Sequence, residues 1–238
     1  MMKNILLYTS GLDSFIAKRY LEKERHINDL ILVYFDLGHK YAHIERELIE
    51  KTQPDCKIIE LNDIGIDLED KDAYIPNRNA LLVLLADAYI HHNENKNIYI
   101  GGLADDNIID NNITFTKNAS KLLSYGKRNI NVETAFNDYS MTKSDIVRWY
   151  SKHFNAENLI SNTYSCFDDK KSYENQNVND QHCYNCKACF RRNTALQDIK
   201  VLPFYNDDII KEYKDNLKNY EKTRQKRIIS YLKKINKF

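Results

Sequence analysis

Three cysteines fall within seven residues, Cys183, Cys186 and Cys189, in a C-x2-C-x2-C run, and Cys166 lies upstream across a polar stretch. Four thiolates that can reach tetrahedral positions suit Zn²⁺. Iron–sulfur proteins use similar runs, usually with a nearby fourth cysteine followed by proline, and that cysteine is missing here. Free or redox-active thiols are a third reading, while a reducing compartment argues against disulfides. The expectation is a structural Zn²⁺ on Cys166, Cys183, Cys186 and Cys189. With every ligand a cysteine, no coordination position stays open for catalysis, so the ion would staple the tail. It would act on the substrate side of a pocket and leave the phosphate loop described next untouched. His182 adjoins Cys183 too closely for easy joint ligation, which leaves it a supporting role, a substrate-side role or plain exposure. Cys56 stands apart and reads as a small, buried or half-buried side chain.

A second constellation opens the chain. An apolar run at residues 5–8 leads into Thr9-Ser10-Gly11-Leu12-Asp13-Ser14, where a helical pattern begins at once. Small residues at such a turn let backbone N–H groups approach an anion, and the helix N-terminus adds the positive end of its dipole. The hydroxyls of Thr9, Ser10 and Ser14 are further donors. Asp13 is a poor phosphate neighbour by itself, so it reads as a magnesium ligand or as a cap shaping the loop. The Walker spacing is absent. Taken alone, the hexapeptide is equally an ordinary cap at a strand–helix turn.

These residues need a scaffold. Apolar runs at 5–8, 30–35, 57–61, 97–101 and 130–133 read as strands. Helical periodicities at 12–24, 39–51, 78–91, 115–125 and 143–153 alternate with them, the last opened by Thr142. On the helix at 12–24 the apolar side is Phe15, Ile16, Tyr20 and Leu21. This order predicts an α/β fold, a doubly wound and mostly parallel five-stranded sheet covered on both faces, with ligands at the carboxyl ends of its strands. The pattern breaks near residue 160. Residues 168–180 read as a mobile polar loop, followed by the cysteines and helical segments. The division is therefore 1–160 for a nucleotide-binding domain and 161–238 for a small, helical, zinc-binding C-terminal region.

Composition narrows the function classes. Hydrophobic residues make up 42% of the 238, enough for a core. No apolar run approaches the roughly 20 residues of a membrane span. The start has no signal-peptide cleavage pattern, so a cytoplasmic location is expected. The net charge of +1 provides no global field for nucleic acid, and no stable nucleic-acid binding is expected. The basic tail from Lys211 to Lys237 reads first as the solvated face of an amphipathic helix with Ile209, Tyr213, Leu217, Tyr220, Ile228, Ile229, Leu232 and Ile235 inside. A phosphate-binding or nucleic-acid-binding role is the alternative. The abundance of Asn, Lys and Ile points to an AT-rich bacterium or a phage as the source.

The Thr9–Ser14 segment resembles the S-G-G-x-D-S loop of the PP-loop ATP pyrophosphatases, which have an adenine nucleotide alpha hydrolase-like fold. Ser10 stands where that family has Gly, and Thr9 where it has Ser. Together with the cysteines, the chain resembles the QueC branch, the 7-cyano-7-deazaguanine synthases. Phe35-Asp36-Leu37-Gly38-His39-Lys40 is similar to F-D-Y-G-Q-R, and Ile75-Pro76-Asn77-Arg78-Asn79 to V-P-x-R-N. Ile100-Gly101-Gly102 with Asp105, Asp106, Asp110 and Phe115 resembles the G-x-N-x-x-D region. Glu133-Thr134-Ala135-Phe136 and Met141-Thr142-Lys143 resemble E-T-P-F and L-T-K. Thr163-Tyr164-Ser165-Cys166 and His182-Cys183 through Cys189, then Arg192, resemble T-x-S-C and H-C-G-x-C-x-x-C with its arginine. The likeness covers residues 5–196. The Y-P-D-C-R stretch is reduced to Ile109-Asp110-Asn111-Asn112, Ala135 replaces a Pro and Tyr184 a Gly.

The resemblance implies an ATP-dependent carbon–nitrogen ligase acting on 7-carboxy-7-deazaguanine, ATP and ammonia, with Mg²⁺ and Zn²⁺. It implies that Asp13, Lys143 and Arg78 are catalytic, and that Thr9, Ser10, Gly11, Leu12, Asp13, Ser14, Phe35 and His39 bind the nucleotide. It further implies that Arg78, Asn79, Gly101, Asp105, Asp106 and Asp110 meet the substrate, and that the chain pairs as a homodimer. Two alternatives stay open, a reaction that stops at the amide and a zinc-containing nucleotide-binding module without catalysis. Another PP-loop reaction, such as tRNA thiolation or lysidine formation, fits the near-neutral charge less well.

Overall fold

A computed structural model describes residues 2–61, 75–90, 94–106, 108–124, 128–167, 182, 186–199, 210–211, 214–215, 217–219 and 222–234. The strands are β1 (Lys3–Leu7), β2 (Leu30–Asp36), β3 (Lys57–Glu60), β4 (Lys96–Ile100) and β5 (Ile130–Thr134). The helices are α1 (Leu12–Glu24), α2 (Ala42–Thr52), α3 (Arg78–Tyr89), α4 (Ile113–Leu123), α5 (Lys143–His153), α6 (Asn158–Ser161), α7 (Lys187–Leu196) and α8 (Lys222–Lys234). The expected sheet forms, five strands in the order β3-β2-β1-β4-β5, with every pairing parallel.

Alternation along each strand divides the core. Ile5 and Leu7 of β1, with Val33, Phe35, Ile98, Ile100, Ile130 and Val132, pack against Leu82, Val83 and Ala86 of α3 and Ala119 and Leu123 of α4. Leu6, Leu32, Tyr34 and Tyr99 face the other way, onto Phe15, Ile16, Tyr20 and Leu21 of α1 and Ile146, Val147 and Tyr150 of α5. Ala195 and Leu196 of α7 join that second layer. Both faces are thus apolar, as parallel strands wound by crossover helices require. Strand order reverses between β1 and β4, so the loops after these two strands diverge and leave a crevice.

Local chemistry sets the boundaries. Helix α5 begins where expected, with a capping box in which the Thr142 side chain accepts from the Asp145 N–H and the Asp145 carboxylate accepts from the Thr142 N–H. Helix α2 begins at Ala42, three residues later than the periodicity suggested. Gly38 takes φ 74°, and the Ala42 N–H donates to the His39 carbonyl at 2.9 Å, so 38–41 form a turn. Helix α4 begins two residues earlier than expected because the Asn112 side chain caps it, accepting from the Phe115 N–H at 2.9 Å.

One buried ion cluster ties the amino-terminal ends of the strands. Lys96, fully buried, donates to the Asp87 carboxylate at 2.8 Å and to the Asp87 carbonyl at 2.7 Å. Arg128 adds contacts at 2.9 and 3.0 Å. Asp87→Ala would strand the Lys96 ammonium in the core and is expected to cost about 3–5 kcal/mol, read as a lower denaturant midpoint.

The C-terminal helices are held by a smaller apolar cluster of Phe190, Ile210, Ile228, Tyr231 and Leu232. Phe190 and Tyr231 meet edge to face with centroids 5.6 Å apart. Ile228 and Leu232 are inside as the amphipathic reading required. Ile209, Tyr213, Tyr220, Ile235 and the 168–180 stretch lie outside the described residues. Cys56 is buried, and burial pushes its thiol up to about 12, which leaves it unreactive.

Candidate active site

The crevice between β1 and β4 collects the chemistry. The Thr9–Ser14 loop leaves the end of β1 and runs into α1, whose first N–H groups have no intrahelical acceptors. Ser14 shapes the loop, its hydroxyl accepting from the Thr9 N–H at 3.2 Å and donating to the Gly11 carbonyl at 3.1 Å. Its proton is therefore used within the loop. Ser10 takes φ 54°, the left-handed region that Gly adopts freely and that costs a residue with a Cβ roughly 1–2 kcal/mol. Ser10 is fully buried, and its Oγ has no hydrogen-bond partner among the described residues.

Asp13, in the first turn of α1, faces Lys143 from the first turn of α5, with Nζ to Oδ2 at 2.7 Å. Its Oδ1 is buried with no partner among the described residues. Burial pushes the Asp13 carboxyl above its ordinary range. The Lys143 ammonium pulls it back, and the Asp106 charge adds to the rise. The Lys143 N–H donates to Asp105 Oδ1 at 3.0 Å. Gly101, at the end of β4, backs closely onto α1, and a Cβ there would lie 3.4 Å from that of Asp13.

Asp106 is held by three donors. Its Oδ2 accepts from the Leu103 N–H at 3.1 Å and Asn111 Nδ2 at 2.7 Å, and its Oδ1 pairs with Arg191 of α7. Asn111 and Tyr139 both press on Gly102. A Cβ there would stand 2.3 Å from Tyr139 Cε1 and 2.4 Å from Asn111 Oδ1. Gly102→Ala therefore forces this wall apart. The expected result is about 1–3 kcal/mol of lost stability, read by thermal melting.

A second cluster lies at the end of β2. Glu45 of α2 accepts from the Tyr34 hydroxyl at 3.0 Å and stands 3.1 Å from His39 Nε2. His39 is buried, and its Nδ1 has no partner among the described residues. Arg78 reaches the Tyr41 hydroxyl at 3.5 Å. Its pKa lies above the ordinary value because Tyr41, Glu45 and Asp110 together outweigh the opposing effect of burial. Phe35 is packed in the apolar layer under α3, edge to face with Tyr89 at 6.3 Å, so its side chain supports the sheet.

Asp110 is engaged in the fold. Its Oδ2 accepts from the Asn79 N–H at 2.8 Å and the Ala80 N–H at 3.3 Å, and Asn79 Nδ2 stands 3.5 Å from Oδ1. It thus caps α3, where Asn77 occupies the left-handed region and gives no side-chain cap. The shortened Ile109–Asn112 stretch starts two helices, Asp110 serving α3 and Asn112 serving α4. Beside it, between α3 and α4, lies a hollow of about 580 Å³ lined by Leu84, Ile109, Phe115 and Leu122 among others. It is apolar and includes none of the phosphate-loop residues.

Three of the four described cysteines converge. The Sγ atoms of Cys166, Cys186 and Cys189 lie within 4.8 Å of one another, two of the residues buried, a spacing that fits one shared metal ion. Cys183 lies outside the described residues. His182 is buried, and its Nε2 accepts from the Ser165 N–H at 2.9 Å, so it fixes the approach of Cys166. The Tyr164 N–H donates to the Ser10 carbonyl at 3.0 Å. The segment leading to Cys166 thus touches the Thr9–Ser14 loop directly, which departs from the expectation that the cysteine site leaves that loop untouched.

The QueC family model, described as queuosine biosynthesis protein QueC, matches residues 65–200, more than half of the chain. The chain belongs to the QueC family. It is 28% identical over 191 residues to a 7-cyano-7-deazaguanine synthase of Methanocaldococcus jannaschii, covering 76% of this chain and 78% of that one. A 7-cyano-7-deazaguanine synthase of Methanosarcina barkeri is 22% identical over 234 residues, covering 84% of this chain and 96% of that one. Arg191 and Glu45, which the structure brings into these two clusters, carry little mark in the sequence. The only signal for Arg191 was a second arginine beside Arg192. Glu45 lay one helical turn beyond Tyr41, on a face that nothing marked as inward.

Proposed function

We propose that this QueC-family chain is an ATP-dependent ligase that converts the carboxylate of 7-carboxy-7-deazaguanine to the nitrile of 7-cyano-7-deazaguanine, with ammonia as nitrogen donor. The observation that carries the reading is the Asp13–Lys143 pair across the mouth of a phosphate loop, at the reversal point of the sheet. A carboxylate resists ammonia because its oxygens are poor leaving groups. Attack of a carboxylate oxygen on the α-phosphorus of ATP expels pyrophosphate and leaves an acyl adenylate. Ammonia then adds at carbon, loses a proton, and AMP departs with the former carboxylate oxygen. A second adenylation, on the amide oxygen, lets the amide nitrogen lose its protons as AMP leaves and the nitrile forms.

In this reading the backbone of Thr9, Ser10, Gly11, Leu12, Asp13 and Ser14 holds the departing pyrophosphate on the N-terminus of α1. Lys143 places its ammonium on the charge that builds at phosphorus. Mg²⁺, when bound, neutralises phosphate charge, and Asp13 Oδ1 is the acceptor suited to it. Arg78 neutralises an anionic reactant, and His39 borders the adenine. Asn79 and Gly101 line the base, with Asp105, Asp106 and Asp110 fixing the walls. Zn²⁺ suits the cysteine set and serves structure. Residues 161–238 are a zinc-binding region appended to the nucleotide-binding part at 1–160. The chain works in the cytoplasm and needs no stable nucleic-acid contact. No described helix is long and apolar enough to cross a membrane.

A homodimer is part of the proposal. Among the described residues the exposed large apolar side chains are Leu84, Tyr89, Ile109, Ile113 and Leu122, all on the α3–α4 side. A second copy covering that side would bury them.

The test is incubation with 7-carboxy-7-deazaguanine, ATP, Mg²⁺ and ammonia. AMP release that depends on the carboxylate, with a nitrile by mass spectrometry, supports the proposal. An amide as the final product assigns the shorter reaction, to which the use of Asp110 and Asn112 as helix caps is compatible. No AMP under any condition would leave a nucleotide-binding module.

A further inference from the structure

Helix α7 carries two consecutive arginines that do different work. Arg192 is fully buried and donates to the Leu159 carbonyl at 3.0 Å, holding α7 against α6. Arg191 points the other way, into the crevice. Its side chain is 32% exposed, while the Asp106 carboxylate that it meets is 5% exposed. Of the two Asp106 oxygens, Oδ2 accepts from the Leu103 N–H and the Asn111 amide, and Oδ1 faces Arg191.

A guanidinium offers five N–H donors in a planar fork. Among the described residues, Asp106 is the only hydrogen-bond partner of the Arg191 side chain. The remaining donors stand in a site that also holds Asp13, Asp105 and Lys143. Asp106 thus anchors one edge of the fork by a carboxylate that two other donors keep in place. A planar cation fixed on one edge and open on the other is suited to two oxygens of a carboxylate or phosphate.

We infer that Arg191, delivered by the cysteine-bearing helix and aimed by Asp106, is an anion-recognition residue of the crevice, binding a carboxylate or phosphate group of the reactants. It rests on the ligase reading for the identity of those reactants. Asp106 is a positioning residue, which accounts for a buried acid in a site that must accept anions. Because Cys189 lies in the first turn of α7 and Cys186 directly precedes that helix, a metal on these cysteines would set where Arg191 stands.

The experiment is calorimetric titration of wild type, Arg191→Ala and Arg191→Lys with Mg-ATP and, separately, with 7-carboxy-7-deazaguanine, alongside metal content and thermal melting. Arg191→Ala is expected to weaken one of the two ligands by about tenfold to a hundredfold. Lys, which keeps the charge and loses the fork, should recover part of it. Weakening confined to the carboxylate compound assigns Arg191 to the substrate, and weakening confined to ATP assigns it to a phosphate. Unchanged affinities for both ligands overturn the inference, as does a loss that merely follows melting or metal loss in both variants. If Arg191→Ala does not fold, the comparison of wild type with Arg191→Lys decides. Wild-type AMP formation is measured in parallel. Its absence counts against the ligase reading alone, because the two titrations still test Arg191.

Discussion

Asp13→Ala is expected to reduce AMP formation by about a hundredfold or more while the protein stays folded. The carboxylate lies 2.7 Å from the Lys143 ammonium, and its second oxygen is buried without a partner among the described residues. Removing it takes away the acceptor best placed for a magnesium ion and frees Lys143 to swing away from its phosphate position. The fold should tolerate the change. Asp13 is in the first turn of an exposed-ended helix, its side chain is 27% exposed, and burial already disfavours its charge. Circular dichroism and melting should match wild type. Near-normal turnover would remove the phosphate-loop reading.

Cys186→Ser is expected to have the other large effect, loss of bound metal together with loss of soluble, active protein. Structural zinc sites in small domains contribute about 10–16 kcal/mol of apparent binding energy, so weakening one ligand removes a large share of what orders the region. The damage should extend beyond the tail. Two residues upstream of Cys166, the Tyr164 N–H is bonded to the Ser10 carbonyl, and the helix that starts by Cys186 delivers Arg191 to Asp106. ATP affinity should therefore fall with metal content. A soluble, metal-free and fully active variant would remove the structural role of the metal.

The sheet, its parallel sense and most of its helices were legible because buried parallel strands write continuous apolar runs. The hydrophobic period changes cleanly at Leu12 and Lys143. The turn at Thr9–Ser14 and the convergence of the cysteines were legible from spacing. The contacts between them were not, because Tyr164 meets Ser10 through backbone atoms that carry no sequence signature. The acidic residues after β4 were identified as a group, yet their roles separate only in space. Asp105 holds the start of α5, Asp106 faces Arg191, and Asp110 caps α3. A motif match does not say where a side chain points, and that of Phe35 lies in the apolar layer beneath α3. Ser10 departs from the family's glycine, and the left-handed φ it adopts explains why glycine is the easier choice there.

The central claim is that an oxygen of the substrate carboxylate leaves as part of AMP. It is tested most directly by supplying 7-carboxy-7-deazaguanine with heavy oxygen in its carboxylate and weighing the AMP released in the presence of ammonia. The account predicts that the AMP formed carries the heavy label in its phosphate and that the nitrile product carries none. Unlabelled AMP, or label recovered in inorganic phosphate, would contradict it.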